Sequence, residues 1–257
     1  MISFIVPAHN EELLIGRTLQ SIHAAAHDVG AGYELIVVDD ASTDATARIA
    51  AELGARVIHV NNRQISATRN CGARAARGDL FVFVDADTLA TADAIRDVIA
   101  AVENGAAGGG CLFRFDGRLP LWARLTYPLG IFLFRVLHVV GGCFIFCTRQ
   151  AFETTGGFSE EHFAAEELIF TNALKRVGKF VIPPAMVVTS GRKLRAYSGF
   201  EILWTLLRIG CRGTRSDRAR SGLEVWYGER RADPEASPEQ VPPPGRDTGC
   251  IRSPGAA

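Results

Sequence analysis

The stretch "LFVFVDADTL" (residues 80–89) runs five apolar residues into two aspartates separated by one alanine. An apolar run of that length, bounded by polar residues, reads as a buried strand. Closing it with paired negative charge costs desolvation and repulsion, so either the strand end reaches solvent or a cation sits there. The same grammar repeats upstream. "ISFIV" (2–6) leads into "PAHNEE", "ELIVV" (34–38) leads into "DDASTD", and "RVIHV" (56–60) is a third run. Helices fit between these runs. Asn10 is the expected cap of the first, with Glu11 and Glu12 in its first turn and Ile15, Leu19, Ile22 and Ala26 on one face. Ser42 is the expected cap of the second, which turns Ile49 and Leu53 inward and stops at Gly54. "ISATRNCGARAARG" reads as a third helix ending at Gly78, and Ile95, Val98, Ile99 and Val102 stripe a fourth that ends near Gly105.

Alternation of fully apolar strands with helices implies an α/β fold whose mixed, mostly parallel sheet is flanked by helices. In such sheets ligands gather beyond the carboxyl ends of the strands. The three polar strand ends should therefore open on one edge, and their convergence is the main physical signal here. The second part is less regular. Runs near 107–115, 143–148 and 179–189 read as further strands, and a helix over about 165–177 carries Phe170, Ala173, Leu174 and Val177. The expected division is two halves of one domain (1–105 and 106–231) and a tail (232–257). The tail has six prolines and no aromatic residue, so it is expected to be disordered.

Formal net charge is zero over 257 residues, which gives no electrostatic case for nucleic acid. Residues 192–231 nevertheless hold ten Arg and Lys against four acids, a local excess of six that suits phosphates or anionic lipid. The six cysteines form no CxxC pair and read as thiols of a reducing compartment, so a cytoplasmic location is expected. "MISFIVPAHNEE" has no basic region before its short apolar run and does not read as a signal peptide. The segment 119–147 is strongly apolar, but Arg124 and Arg135 interrupt it below the ~20 residues needed to span a bilayer. Buried core is its first reading; a helix lying against a membrane surface is the second.

Strand-like geometry would point Asp85 and Asp87 to one side. Two carboxylates at an open strand end suit a hard divalent ion, Mg²⁺ or Mn²⁺, which keeps water or substrate phosphate in its other positions. Asp39 and Asp40 close another strand, where a carboxylate can accept from a base imide or from ribose hydroxyls. Together these pieces resemble the family 2 glycosyltransferases, which have the GT-A nucleotide-sugar transferase fold. The matching stretches are "VPAHNEE" (6–12), "VVDDASTDAT" (37–46), "ATRNCGARAARGDLFVFVDADT" (67–88), "GGF" (156–158), "AAEELIFTNALKRVGK" (164–179) and "VVTSGRKL" (187–194).

The resemblance implies roles for individual residues. Pro7, Ala8 and Glu11 would line the nucleoside pocket, with Asp40 at the base and Asp39 and Arg69 helping to hold the nucleotide. Asp85 would face the ribose or the metal, and Asp87 would ligate the metal that bridges the diphosphate. Arg192 and Lys193 would meet the diphosphate. Within "AAEEL", Glu167 would be the general base of an inverting transfer to an acceptor hydroxyl, preceded by Glu166. The family pattern has Asp at the position of Glu167, so the reach of this base is one methylene longer. The acceptor is unknown; a lipid-linked one, with peripheral contact at the membrane's cytoplasmic face, is the expectation from 119–147 and 192–231.

Other functions fit less well. A haloacid-dehalogenase-like phosphatase also places DxD after an apolar strand, but wants Thr or Val where this chain has Leu89. A nucleotidyltransferase needs a Gly-rich, basic N-terminal loop that "VPAHNEE" lacks. A non-catalytic nucleotide-sugar-binding or membrane-associated protein remains the alternative, because Glu replaces Asp at the base position.

Overall fold

The computed structural model describes residues 1–162, 165–202, 204 and 233. The tail apart from Asp233, and most of the basic 192–231 segment, lie outside the described residues. The first half alternates as β1 (Ile2–Ala8), α1 (Ile15–Asp28), β2 (Tyr33–Asp40), α2 (Thr46–Glu52), β3 (Arg56–Val60), α3 (Ile65–Ala75) and β4 (Leu80–Val84). It continues through β5 (Thr88–Leu89), α4 (Ala92–Glu103), β6 (Ala106–Gly110), β7 (Leu112–Phe115) and α5 (Leu121–Val136). The rest comprises β8 (Phe144–Thr148), α6 (Arg149–Thr155), α7 (Glu166–Val177), β9 (Lys179–Val181), β10 (Met186–Thr189) and α8 (Arg192–Ala196).

Seven strands form one sheet in the order β3-β2-β1-β4-β8-β6-β9, and β5-β10-β7 form a small second sheet. The pairs β1–β2, β1–β4, β2–β3 and β6–β9 are parallel, whereas β8 runs antiparallel to both β4 and β6. Every residue of β1 is buried, because both faces of the sheet are covered. Phe4 and Val6 join a core with Ile15, Leu19 and Ile22 of α1 and Ile95 and Val98 of α4. The intervening Ile5 faces the other core, with Ala73 of α3, Phe152 of α6, and Phe170 and Leu174 of α7. Close approach of α3 requires Gly72: a Cβ there would lie 2.4 Å from the Ile5 side chain.

The strand order places a topological switch point between β1 and β4, since the chain runs outward from β1 through β2 and β3 before β4 pairs on its other side. Pairing of β1 with β4 stops at Ile5↔Phe83, so the two strands part beyond it. Pro7, which has no N–H to offer, lies in the stretch that pairs with β2 but no longer with β4.

Three local expectations change. α1 begins at Ile15, not after Asn10; Asn10 takes a left-handed φ of 51° and its Oδ1 accepts from Thr43 N at 2.8 Å. Ser42 does not cap α2; its hydroxyl accepts from Asn10 N at 2.9 Å, and Asp44 accepts from Thr46 N instead. The run 119–147 is buried core only at its end: Val140 and residues 143–147 are buried, whereas among the α5 residues only Ala123 is.

Candidate nucleotide and transfer site

Two loops beyond β1 and β2 are stitched together by the polar residues of their motifs. Asn10, Glu11 and Glu12 donate their backbone N–H groups to Ser42 Oγ, Thr46 Oγ1 and Asp44 Oδ2. In return, Asn10 Oδ1 accepts from Thr43 N and Glu12 Oε2 from Ala45 N. Much of the "HNEE" and "STDAT" pattern therefore builds the rim of the switch-point crevice. The spacing of these short polar residues on both loops is the sequence signal for this rim, and it has the same pattern as helix capping.

Asp39 and Asp40 are both buried at the end of β2 and point to opposite faces. Asp40 is fully employed: its oxygens accept from the N–H groups of Asn62, Arg63 and Gln64 and from Thr68 Oγ1. It moulds the turn into α3. Asp39 Oδ2 meets His59 Nδ1 at 3.0 Å, whereas its Oδ1 is buried with no hydrogen-bond partner. An unpaired buried carboxylate oxygen is costly, and a donor from a ligand would satisfy it. His59, unremarkable in the sequence, is thus its orienting partner. Pro7 and Ala8 lie buried at the end of β1 beside these residues.

The DxD segment is a turn after β4, not a continuation of the strand, and its two carboxylates engage different arginines. Asp85 Oδ1 meets Arg69 Nη2 at 2.9 Å, and Asp87 Oδ2 meets Arg192 Nη2 at 3.0 Å. Arg192, at the start of α8, also holds Glu11 through both terminal nitrogens, at 2.8 and 2.6 Å. It thus spans from the β1–β2 rim to the DxD turn, and these acids hold its guanidinium pKa above the usual arginine value despite burial. Burial pushes the Asp87 carboxyl up to about 6, with Glu11 and Asp85 adding to the shift and Arg192 opposing it. A shallow depression beside Asp87 is lined by Leu14, Arg17, Thr18, Leu89, Asp116 and Val188.

Arg69 is the other hub. Its side chain is 1% exposed, and besides Asp85 it reaches Glu166 Oε1 at 3.3 Å and the Gly142 carbonyl at 3.0 Å. Its guanidinium lies 5.2 Å from the centre of the Phe158 ring. The "GGF" motif places that ring: Asn70 exchanges two hydrogen bonds with the backbone of Phe158, and Gly157 adopts φ 79° where a Cβ would meet Asn70 Oδ1. Glu166 is buried at the first turn of α7, and Glu167 beside it is half-buried against Gly142. Burial and the neighbouring Glu167 raise the Glu166 pKa, and Arg69 only partly offsets them. Both glutamates also benefit from the helix N-terminus.

Sequence reasoning thus brought together Glu11, Asp39, Asp40, Arg69, Asp85, Asp87, Glu166, Glu167 and Arg192 on one edge. Lys193 lies close enough to Asp87 to lower its pKa. The carbonyl of Gly142 was missed because backbone acceptors leave no mark in sequence. Among the described residues, no group of three or more His, Cys, Asp or Glu side chains is arranged to hold a metal. The donor set nonetheless suits a hard cation that takes one or two carboxylates and completes its shell with substrate phosphate. Asp85 and Asp87 supply such oxygens, currently neutralised by arginine.

This arrangement defines a GT-A fold, the architecture of nucleotide-sugar transferases. A mannosyltransferase from Pyrobaculum calidifontis, solved in complex with GDP-Man and Mn²⁺, superposes with a TM-score of 0.63 at 22% identity, covering 80% of this chain and 60% of that one. S. aureus TarS 1-349 in complex with UDP-GlcNAc gives 0.58 at 21% identity, over 87% of this chain and 70% of that chain. Residues 3–156, more than half of the chain, match the model of Glycosyl transferase family 2, and the chain belongs to that family. An undecaprenyl-phosphate 4-deoxy-4-formamido-L-arabinose transferase from Shewanella sediminis is 32% identical over 111 residues, 40% of this chain. The match spans only 34% of that relative's length.

Proposed function

We propose that this chain is an inverting glycosyltransferase that moves a sugar from a nucleoside-diphosphate donor to an acceptor hydroxyl with a divalent cation, Mg²⁺ or Mn²⁺. The observation that carries the reading is the pair of arginine bridges at the switch point. Arg192 links Glu11 to Asp87, and Arg69 links Asp85 to Glu166, so cationic and anionic groups alternate across one crevice. A nucleoside diphosphate spanning from the β1–β2 rim to the DxD turn meets donors, acceptors and a cation site in the order it needs them.

Pro7, Ala8 and Glu11 line the nucleoside, and Asp39 Oδ1 accepts from its base or ribose. Asp40 acts at one remove, by shaping the turn at 62–64. Asp85 and Asp87 hold the cation, which supplies Lewis-acid stabilisation of the departing diphosphate. Arg192 and Lys193 would contact the diphosphate beside that cation. Arg69 already engages Glu166, so the half-buried Glu167 beside it is the group that accepts the acceptor's proton. The freed oxygen attacks the anomeric carbon on the face opposite the diphosphate, and the configuration inverts.

On this reading residues 1–105 serve the nucleotide and 106–231 the acceptor, while one continuous seven-stranded sheet joins them. The relative that acts on undecaprenyl phosphate supports a lipid-linked acceptor. The free thiols of Cys71, Cys111, Cys143 and Cys147 suit a reducing, cytoplasmic side. Release of nucleoside diphosphate, measured over a panel of sugar nucleotides and lipid-linked acceptors, tests the proposal. Glu167→Gln should lower turnover about 10²-fold or more while donor binding stays within about twofold. Full activity in that variant would remove Glu167 as the base.

A further inference from the structure

Seven of the thirteen large apolar side chains that stand exposed among the described residues fall within 121–137. They are not scattered. α5 docks by Ala123, Tyr127 and Phe134, whose spacing of four and seven makes one face: Tyr127 Oη donates to the Phe113 carbonyl at 2.6 Å, and Phe134 packs on the Phe113 ring. The opposite face carries Leu121, Leu125, Leu129, Phe132, Leu133 and Val136, with Leu125 72% and Phe132 62% exposed. At 100° per residue these six cover roughly a third of the helix circumference, and Arg124 and Arg135 lie together along one border of that arc. The stretch 199–202 packs beside α5, with Gly199 against Trp122, and adds the exposed, stacked rings of Phe200 and Trp204.

From this geometry we infer that the exposed face of α5, with Phe200 and Trp204, is a docking surface for an anionic phospholipid bilayer. Charge selects the occupant. Residues 117–138 contain Arg118, Arg124 and Arg135 and not one Asp or Glu, so α5 and the chain that flanks it carry only positive charge. Arginines bordering an apolar arc can bury their stems with it while the guanidinium stays at headgroup level. The helix has 16 residues, about 24 Å, too short to cross a bilayer core, and no helix among the described residues is long and apolar enough to do so. Lying in the interface is the geometry left to it.

Both ends of α5 are tied to the site. Before it, Asp116 accepts from Gly191 N, next to Arg192; after it, the Gly142 carbonyl accepts from Arg69. A bilayer under α5 therefore lies beside the transfer site, which is how a lipid-linked acceptor would reach Glu167. This deepens the proposed function, but its test reads binding and not turnover, so the two can fail separately. Co-sedimentation of the purified chain with phosphatidylcholine vesicles, with and without phosphatidylglycerol, measures the partition. Binding to the anionic vesicles should exceed binding to the neutral ones by about tenfold or more and weaken with salt. Leu125→Asp combined with Phe132→Asp should abolish it, and Arg124→Glu with Arg135→Glu should remove the preference for anionic lipid, both without changing the melting temperature. Equal partition of the wild type and the Leu125/Phe132 variant would overturn the inference. So would a stable dimer in light scattering that dissociates in that variant while no vesicles are bound, since a second copy would then be the occupant.

Discussion

Replacing Arg69 by Met keeps an unbranched apolar stem and removes the charge from the most connected position in the site. The wild-type guanidinium is 1% exposed and serves Asp85, Glu166 and the Gly142 carbonyl at once. Removing one partner of a buried ion pair costs about 3–5 kcal/mol when the remaining charge stays buried. Here two circumstances lower that figure. Asp85 is 28% exposed and can recover some hydration, and Glu166, already raised by burial and by Glu167, can take a proton. The Gly142 carbonyl loses its donor, which costs about 1–3 kcal/mol on its own. The expected loss is about 3 kcal/mol, or roughly 6–12 °C in melting temperature for a chain of this size. Urea unfolding measures it. Glu166→Gln should be destabilising in the wild type but nearly neutral or stabilising beside Arg69→Met, because the carboxylate then has no cation to pair with. A loss below about 1 kcal/mol, or an equal cost of Glu166→Gln in both backgrounds, would refute the view of Arg69 as the counter-ion joining the DxD turn to α7.

Other outcomes follow from the same contacts. Arg192→Ala leaves Glu11 and Asp87 facing each other without their shared cation, so calorimetry should show Mn²⁺ binding the free protein about tenfold or more tightly, while nucleoside diphosphate binds more weakly. Asp87, pushed up to about 6, stabilises the metal-free fold below the ordinary carboxylate range, and that contribution is lost as pH rises through about 6. Asp87→Asn should therefore be more stable than the wild type at pH 7 without metal, by up to roughly 3 kcal/mol, with the advantage fading toward pH 4 in thermal unfolding. Mn²⁺ affinity of the wild type should fall about tenfold per unit below pH 6, since the ligand must lose its proton.

Periodicity made the first half of the fold legible: "LFVFV" is β4 to the residue, and the apolar stripe of α4 is the face that is buried. Composition could not distinguish the surface of α5 from a core helix, because its apolar arc is wider than the part β7 covers. Carboxylate roles were legible only as a group. Asp39 and Asp40 are neighbours with the same chemistry, yet one is consumed by four donors and the other keeps a bare oxygen; only the turn at 62–64 decides which. Arg192 lies 181 residues from Glu11, and no local pattern announces such a bridge. Short-range capping logic likewise misassigns Asn10 and Ser42, whose partners lie on each other's loops and not in their own helices.

The central claim is that the switch-point crevice binds a nucleoside diphosphate through Asp87 and a divalent cation. Titrating UDP, GDP and their sugar conjugates into the purified chain with and without Mn²⁺, for the wild type and Asp87→Ala, tests it most directly. The account predicts one-to-one binding of at least one of these nucleotides that requires Mn²⁺ and is lost in Asp87→Ala. Binding of equal strength in Asp87→Ala, or no binding by any member of the panel in the presence of Mn²⁺, would contradict it.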